Sequence, residues 1–256
     1  MDARVALAGL ALLAWFSDGA TSAAVDQDRF TIEPNPVAIH AFFNGGTVRV
    51  RGTVDPGNSV IVVITGRTME ERFNRKGRVG PLWATTGRVA ISDVPSLYIV
   101  ASSAPVPTLV RREGIDAHRL NLEALVRLAR IEPNGPDREL LLGEYLKLKR
   151  QQGVVGLFDR AVHLGGPPSA RSFDAEIPWP VTAPVGAYQI AVLHVRAFAV
   201  VRQDVQTLEV KYVGIPRFVA QLAFERGLVY GIVSVIIALS VGLAMGVLFK
   251  RRQVGH

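Results

Sequence analysis

Arg72, Arg75, Lys76 and Arg78 fall within the short run ERFNRKGRVGPLW at 71–83, and Arg88 follows soon after. Guanidinium and ammonium groups at this density attract acidic protein surfaces, lipid headgroups or small oxyanions. The same residues also suit a solvated sheet edge, where charge keeps the edge from pairing with a second sheet. Phe73, Val79 and Trp83 interrupt the cations and read as the side chains that pin the segment to a core, with Gly77 at the bend. Sequence leaves both roles open.

Nothing else clusters in the manner of a reaction centre. His40, His118, His163 and His194 are scattered, with no HExxH, His-x-His or paired-carboxylate spacing. The chain has no cysteine, which excludes disulfides, thiolate metal sites, a cysteine nucleophile and a lipoprotein anchor. The glycine pairs at Gly45 and Gly165 do not join a strand to a helix as a phosphate loop must, and they read as turns. Glu139 and Glu144, mixed with Arg138 and Lys147, read as the charged face of a helix. The expectation is a protein that is not an enzyme, with no catalytic residue, no metal and no cofactor.

The elements that must carry the basic run are strands. TVRVRGTV puts Val48, Val50 and Val54 on one face and Arg49 and Arg51 on the other, and DPGN from Asp55 supplies a turn. The run from Val60 to Ile64 is apolar throughout, as in a strand buried on both faces. GRVAIS and PSLYIVAS continue the series at the spacing of an Ig-like β-sandwich. From Gly114 the spacing turns helical, at Leu122, Leu125, Val126 and Ala129 and again at Leu141, Tyr145 and Leu148, broken by Asn134, Gly135 and Pro136. This predicts a helical hairpin, with Asp116 and Asp137 as caps and Gly153 as the stop. Strand alternation returns at Phe173, Ala175, Ile177 and Trp179, then from Tyr188 to Val195, then at Leu208, Val210 and Tyr212.

The ends set the address. Arg4 precedes an uncharged apolar run at 5–16 and small residues at 19–24, the layout of a secretory signal peptide cut after Ala24. Residues 227–249, GLVYGIVSVIIALSVGLAMGVLF, hold no charge. As a helix they reach roughly 34 Å, enough for a hydrocarbon core of about 30 Å. Lys250, Arg251 and Arg252 follow and favour a cytoplasmic C-terminus. Within the span Ser234, Ala238, Gly242 and Gly246 recur every four residues, a small-residue stripe that lets a second helix approach, in a homodimer or against a multi-pass partner.

Several of these pieces together resemble a family, the putative transmembrane proteins of alphaproteobacterial type. They are NRKGRVGPLW at 74–83, VPSLYIVASSAPV at 94–106, GLFDRAVHL at 156–164, the Pro, Gly, Tyr strand entry at 183–188, and the apolar C-terminal helix with its basic end. The resemblance covers nearly the whole mature chain. It implies an exported sandwich-type body, one C-terminal helix, no established activity, and frequent company with a permease of the sulfite or sulfonate exporter type. It carries over no catalytic residues. One departure is Pro81 before Leu82 and Trp83, where a non-proline residue is expected and the form of the turn is put in doubt.

The fold expected is mainly β: Ig-like β-sandwich lobes with an inserted helical hairpin, plus one C-terminal transmembrane helix. Its boundaries are a signal peptide at 1–24, an N-terminal β-sandwich lobe at 25–113, the helical hairpin at 114–153 and a second β-rich lobe at 154–215. A juxtamembrane helix at 216–226, the transmembrane helix at 227–249 and a cytoplasmic tail at 250–256 complete the chain. The protein is expected in a bacterial inner membrane, its body periplasmic, in contact with the bilayer and with a permease or a second copy of itself. Nucleic acid is disfavoured by the compartment. The expected function is a non-catalytic accessory subunit of a membrane transport system, and the alternatives are a tethered oxyanion- or solute-binding module and a small enzyme with an unfamiliar site.

Overall fold

The computed structural model describes residues 30–133, 135–167 and 171–252, with side chains described as far as 246. The segment expected as a signal peptide lies outside the described residues. Among the described residues, thirteen strands and six helices follow one another. The strands are β1 (Phe30–Glu33), β2 (Val37–Ile39), β3 (Gly46–Val54), β4 (Ser59–Thr65), β5 (Thr68–Val79), β6 (Leu82–Pro95), β7 (Tyr98–Ser102), β8 (Arg130–Glu132), β9 (Val155–Phe158), β10 (Val162–Gly165), β11 (Arg171–Trp179), β12 (Gly186–Arg196) and β13 (Ala199–Tyr212). The helices are α1 (Val106–Leu109), α2 (Arg112–Ala117), α3 (Leu122–Leu128), α4 (Arg138–Gln151), α5 (Ile215–Glu225) and α6 (Gly227–Arg252).

Two sheets form a sandwich, one of four strands in the order β1-β3-β11-β10 and one of six in the order β2-β13-β12-β4-β7-β9. Alternation in each strand decides which side chains meet between them. Val48, Val50, Phe173, Ala175, Ile177 and Trp179 from the first sheet pack against Val60, Val62, Ile64, Ile190, Val192 and Leu208 from the second. The opposite face of β3 and β11 is a solvated ladder of charge, where Arg51 meets Asp174 at 2.9 Å and Arg49 meets Glu176. The uniform apolar run of β4 has its cause on the other side of the six-stranded sheet. There Ile61 and Val63 lie with Tyr98 and Val100 beneath Val110, Leu120 and Leu125, so α1 to α3 cover that face.

The two stretches expected as separate lobes share one core. β3 runs antiparallel to β11 from Gly46 opposite Trp179 to Val54 opposite Arg171. β4 likewise runs beside β12, from Ser59 opposite Val195 to Thr65 opposite Gln189. The helical stretch between them is not a two-helix hairpin. β8 separates α3 from α4 and pairs with β6, Ile131 opposite Ile91. Capping differs as well: Asn121 caps α3 by accepting from the Ala124 N–H at 2.8 Å, while Asp116 lies inside α2 and pairs with Arg127. Asp137 does stand at the start of α4, yet its carboxylate takes Arg75 instead of a helix N–H.

β5, β6 and β8 make a third small sheet. Its base packs on α4, with Val89, Ile91 and Phe73 against Leu142 and Tyr145. At the C-terminal end, β13 leads into α5, a short break at Arg226 follows, and α6 continues with every described side chain exposed. The segment Gly227–Gly246 is long and apolar enough to cross a membrane.

Candidate interaction site

Beyond its base the hairpin of β5 and β6 leaves the core behind. Val79 pairs with Leu82 across a two-residue connection. Gly80 has φ +62° and Pro81 fixes its own φ near −65°. A positive first and a negative second φ are the pattern of a II′ turn, whose twist matches that of a hairpin. Pro81 therefore suits the turn, and the bend falls at Gly80 and Pro81 and not at Gly77. Gly77 lies in β5, where an added Cβ would stand 2.7 Å from Thr86.

Strand alternation sorts the cations into two groups. Glu71, Phe73 and Arg75 face α4: Glu71 binds Lys149 at 2.5 Å, Phe73 meets the Tyr145 ring edge-on at 5.8 Å, and Arg75 donates to Asp137 at 2.8 Å. Arg72 and the residues at every second position after it face the other way. Arg72 closes on Glu70 of its own strand at 2.8 Å. Lys76, Arg78 and Arg88 have no carboxylate partner among the described residues. Arg78 pairs across the hairpin with Trp83, and Arg88 with Asn74. Three unneutralised cations and an indole thus share one face.

The tip is apolar as well as basic. Val79, Leu82 and Trp83 are 58%, 70% and 75% exposed, so of the residues expected to pin the run only Phe73 packs against a core. The two-strand ribbon outruns the helix that supports it, and α4 has no further side chain to offer. Exposed Leu and Trp beside Arg are the composition of an interface core, which aromatic residues and arginine enrich.

Along α6 the small-residue stripe is uncovered: a Cβ built on Gly242 or Gly246 meets nothing within 4 Å. Ser234 donates to the Tyr230 carbonyl at 2.8 Å, inside its own helix. Ala238 is exposed. The side chains of Lys250, Arg251 and Arg252 lie outside the described residues.

A second feature was not visible in sequence. A cleft of about 910 Å³ opens where the outer face of the six-stranded sheet, α3 and β8 converge. Val63, Tyr98, Leu125 and Ile131 supply apolar walls, and Arg119, Arg127, Arg130 and Arg138 contribute to the lining. These arginines are spaced through the helical stretch without a motif; only the turn of the chain between α2 and α4 gathers them. Elsewhere, His194 is 1% exposed, with Nε2 3.1 Å from Asp204, and the described residues hold no group of three or more His, Asp or Glu side chains fit to bind a metal.

Set beside known proteins, residues 29–251 match the model of a family described as putative transmembrane protein (Alph_Pro_TM). No curated protein and no solved structure matches the chain.

Proposed function

The chain belongs to the putative transmembrane protein (Alph_Pro_TM) family, and one helix among its described residues is long and apolar enough to cross a membrane; from that premise we propose that it is a single-pass membrane protein and serves as a non-catalytic interaction subunit of a membrane transport system. Its body stands on the extracytoplasmic side of a bacterial inner membrane. The apolar run after Arg4 and the basic end at Lys250, Arg251 and Arg252 support that orientation.

One observation carries the reading. The hairpin presents Trp83 and Leu82 uncovered, with Lys76, Arg78 and Arg88 unneutralised on the same ribbon. A solvated edge needs the charges but has no use for an exposed indole and leucine at the tip. The occupant that fits is an acidic extracytoplasmic loop of a multi-pass membrane protein, brought alongside by α6, whose small-residue stripe lets a second helix pack closely.

The test is gentle extraction of tagged full-length protein from its host, with mass spectrometry of what accompanies it. A multi-pass transport protein in stoichiometric amount is expected. It should be lost when Lys76, Arg78 and Arg88 are changed to Glu, and also in a Leu82→Ser/Trp83→Ser variant, with the thermal midpoint unchanged. Undiminished partner in both variants, or no partner with the wild-type chain, would sink the reading.

A further inference from the structure

The cleft beside β8 is distinct from the hairpin tip, and its lining is of two kinds. Buried Val63, Leu125 and Ile131 and the ring of buried Tyr98 form an apolar floor. Around them stand four arginines against two carboxylates, Asp93 and Glu132.

The arginines are unequally occupied. Arg130 pairs with Asp93 at 3.1 Å and Arg127 with Asp116 at 2.6 Å. Arg138 donates one N–H to the Ala129 carbonyl at 3.1 Å, which leaves most of its guanidinium uncommitted. The Arg119 guanidinium has no hydrogen-bond or ion-pair partner among the described residues. Its backbone is held at φ +54°, and that of Asp93, also in the lining, at φ +62°. An arginine rarely adopts the left-handed region. The Tyr98 hydroxyl, donating to the Arg119 carbonyl, helps to fix it there. Strained backbone of this kind collects at ligand sites.

We propose that this cleft binds an amphipathic organic anion, its oxyanion head on Arg119 and Arg138 and its hydrocarbon against Leu125, Ile131 and Tyr98. A free inorganic oxyanion would leave the apolar floor wet. A neutral apolar molecule would bury beside unpaired guanidinium, whose forked donors match carboxylate and sulfonate. The volume lies within the range of small-molecule pockets. Register places the cleft toward the anchored end of the body, since Thr65 in its wall stands opposite Gln189, near the start of β12, and the end of β13 leads to α5. Such an anion reaches it either from solution or from the lipid, as a released acyl carboxylate.

The experiment uses the full chain in phosphatidylcholine nanodiscs, with empty nanodiscs subtracted, by titration calorimetry. Naphthalene-2-sulfonate and decanoate are the probes, 2-naphthol the neutral counterpart and inorganic sulfate the head alone. Saturable binding of at least one organic anion is expected, at least about tenfold tighter than 2-naphthol or sulfate. Preference for decanoate assigns the lipid source, and preference for the arylsulfonate assigns the soluble one. Arg119→Gln, on the exposed rim, should weaken binding about tenfold with an unchanged thermal midpoint, and Leu128→Ser, at the end of α3 where that residue also lines the cleft, should weaken it through the apolar wall. Absence of saturable binding overturns the proposal. So does equal binding of 2-naphthol or sulfate, or unchanged affinity in both variants.

Discussion

Among the described residues, His194 is the most deeply buried histidine. Its Nε2 stands 3.1 Å from Asp204 Oδ2, and Arg202 Nε binds the same carboxylate oxygen at 2.9 Å. Burial holds the imidazole below its ordinary value of 6.5; the Arg202 charge acts in the same direction and Asp204 against it. Hydrogen bonding and charge from Arg202 hold the Asp204 carboxyl low despite its own burial. Because the folded chain resists protonating His194, the unfolded chain takes up the proton first. The stability tied to His194 is therefore complete above about pH 6.5 and declines as pH falls below it. Urea midpoints measured from pH 7.5 to 5 should fall for the wild type and more shallowly for His194→Gln; parallel slopes would remove His194 from the account. Individual residues were only half legible in sequence. The cations at Arg72, Arg75, Lys76, Arg78 and Arg88 can be counted there, but Glu70 and Asp137, which neutralise two of them, are chosen by strand direction and by where α4 begins.

At the scale of elements, legibility followed period. β3 and β11 have strict alternation and a charged outer face, so their inward residues are plain from spacing. β8 has only three residues inside a helical pattern, and its pairing with β6 is a tertiary choice that no local spacing announces. α5 is the element whose purpose is clearest from its own faces. Ile215, Phe218, Val219 and Leu222 recur at helical spacing along one face, while Arg217 stands on the opposite side. Phe218 is 66% exposed, and only Arg226 separates this helix from the span. Beside a membrane anchor such a helix is expected to lie in the bilayer interface, where burying one such phenylalanine contributes about 1.5–3 kcal/mol. In a reconstituted full chain, a nitroxide at 219 should meet oxygen more readily than a water-soluble nickel complex, and one at 217 the reverse. Equal accessibility at the two positions would mean that α5 stands clear of the lipid.

The whole molecule is closed by strands distant in sequence, and that is why its domain plan could not be read locally. Each half shows good strands, turns and alternation, so a split into two lobes satisfies every short-range signal. The cost appears only in the pairing: without β11, β3 loses its central neighbour, and without β12 and β13, β4 lies at an exposed edge and β2 has no sheet. Val48, Val50, Val60 and Val62, nearly inaccessible in the fold, would then face water, at about 25 cal/mol for each Å² of apolar surface uncovered. Neither 25–113 nor 154–215 should fold alone. Expressed separately, each should unfold without a cooperative transition and bind a hydrophobic dye, whereas 25–213 should give one sigmoidal thermal transition. A cooperative transition in either half would mean that the sandwich is two domains after all. The expected result has a bearing on the anchor. β13 pairs along its length with β12, holds β2 through Val210 opposite Val37, and passes from Tyr212 almost directly into α5. A load on the membrane helix is thus received by the strand that joins the first and last parts of the body. Only Val213 and Gly214 separate β13 from α5, so a force on α6 would pass through α5 to the sheet whose outer face forms the wall of the cleft.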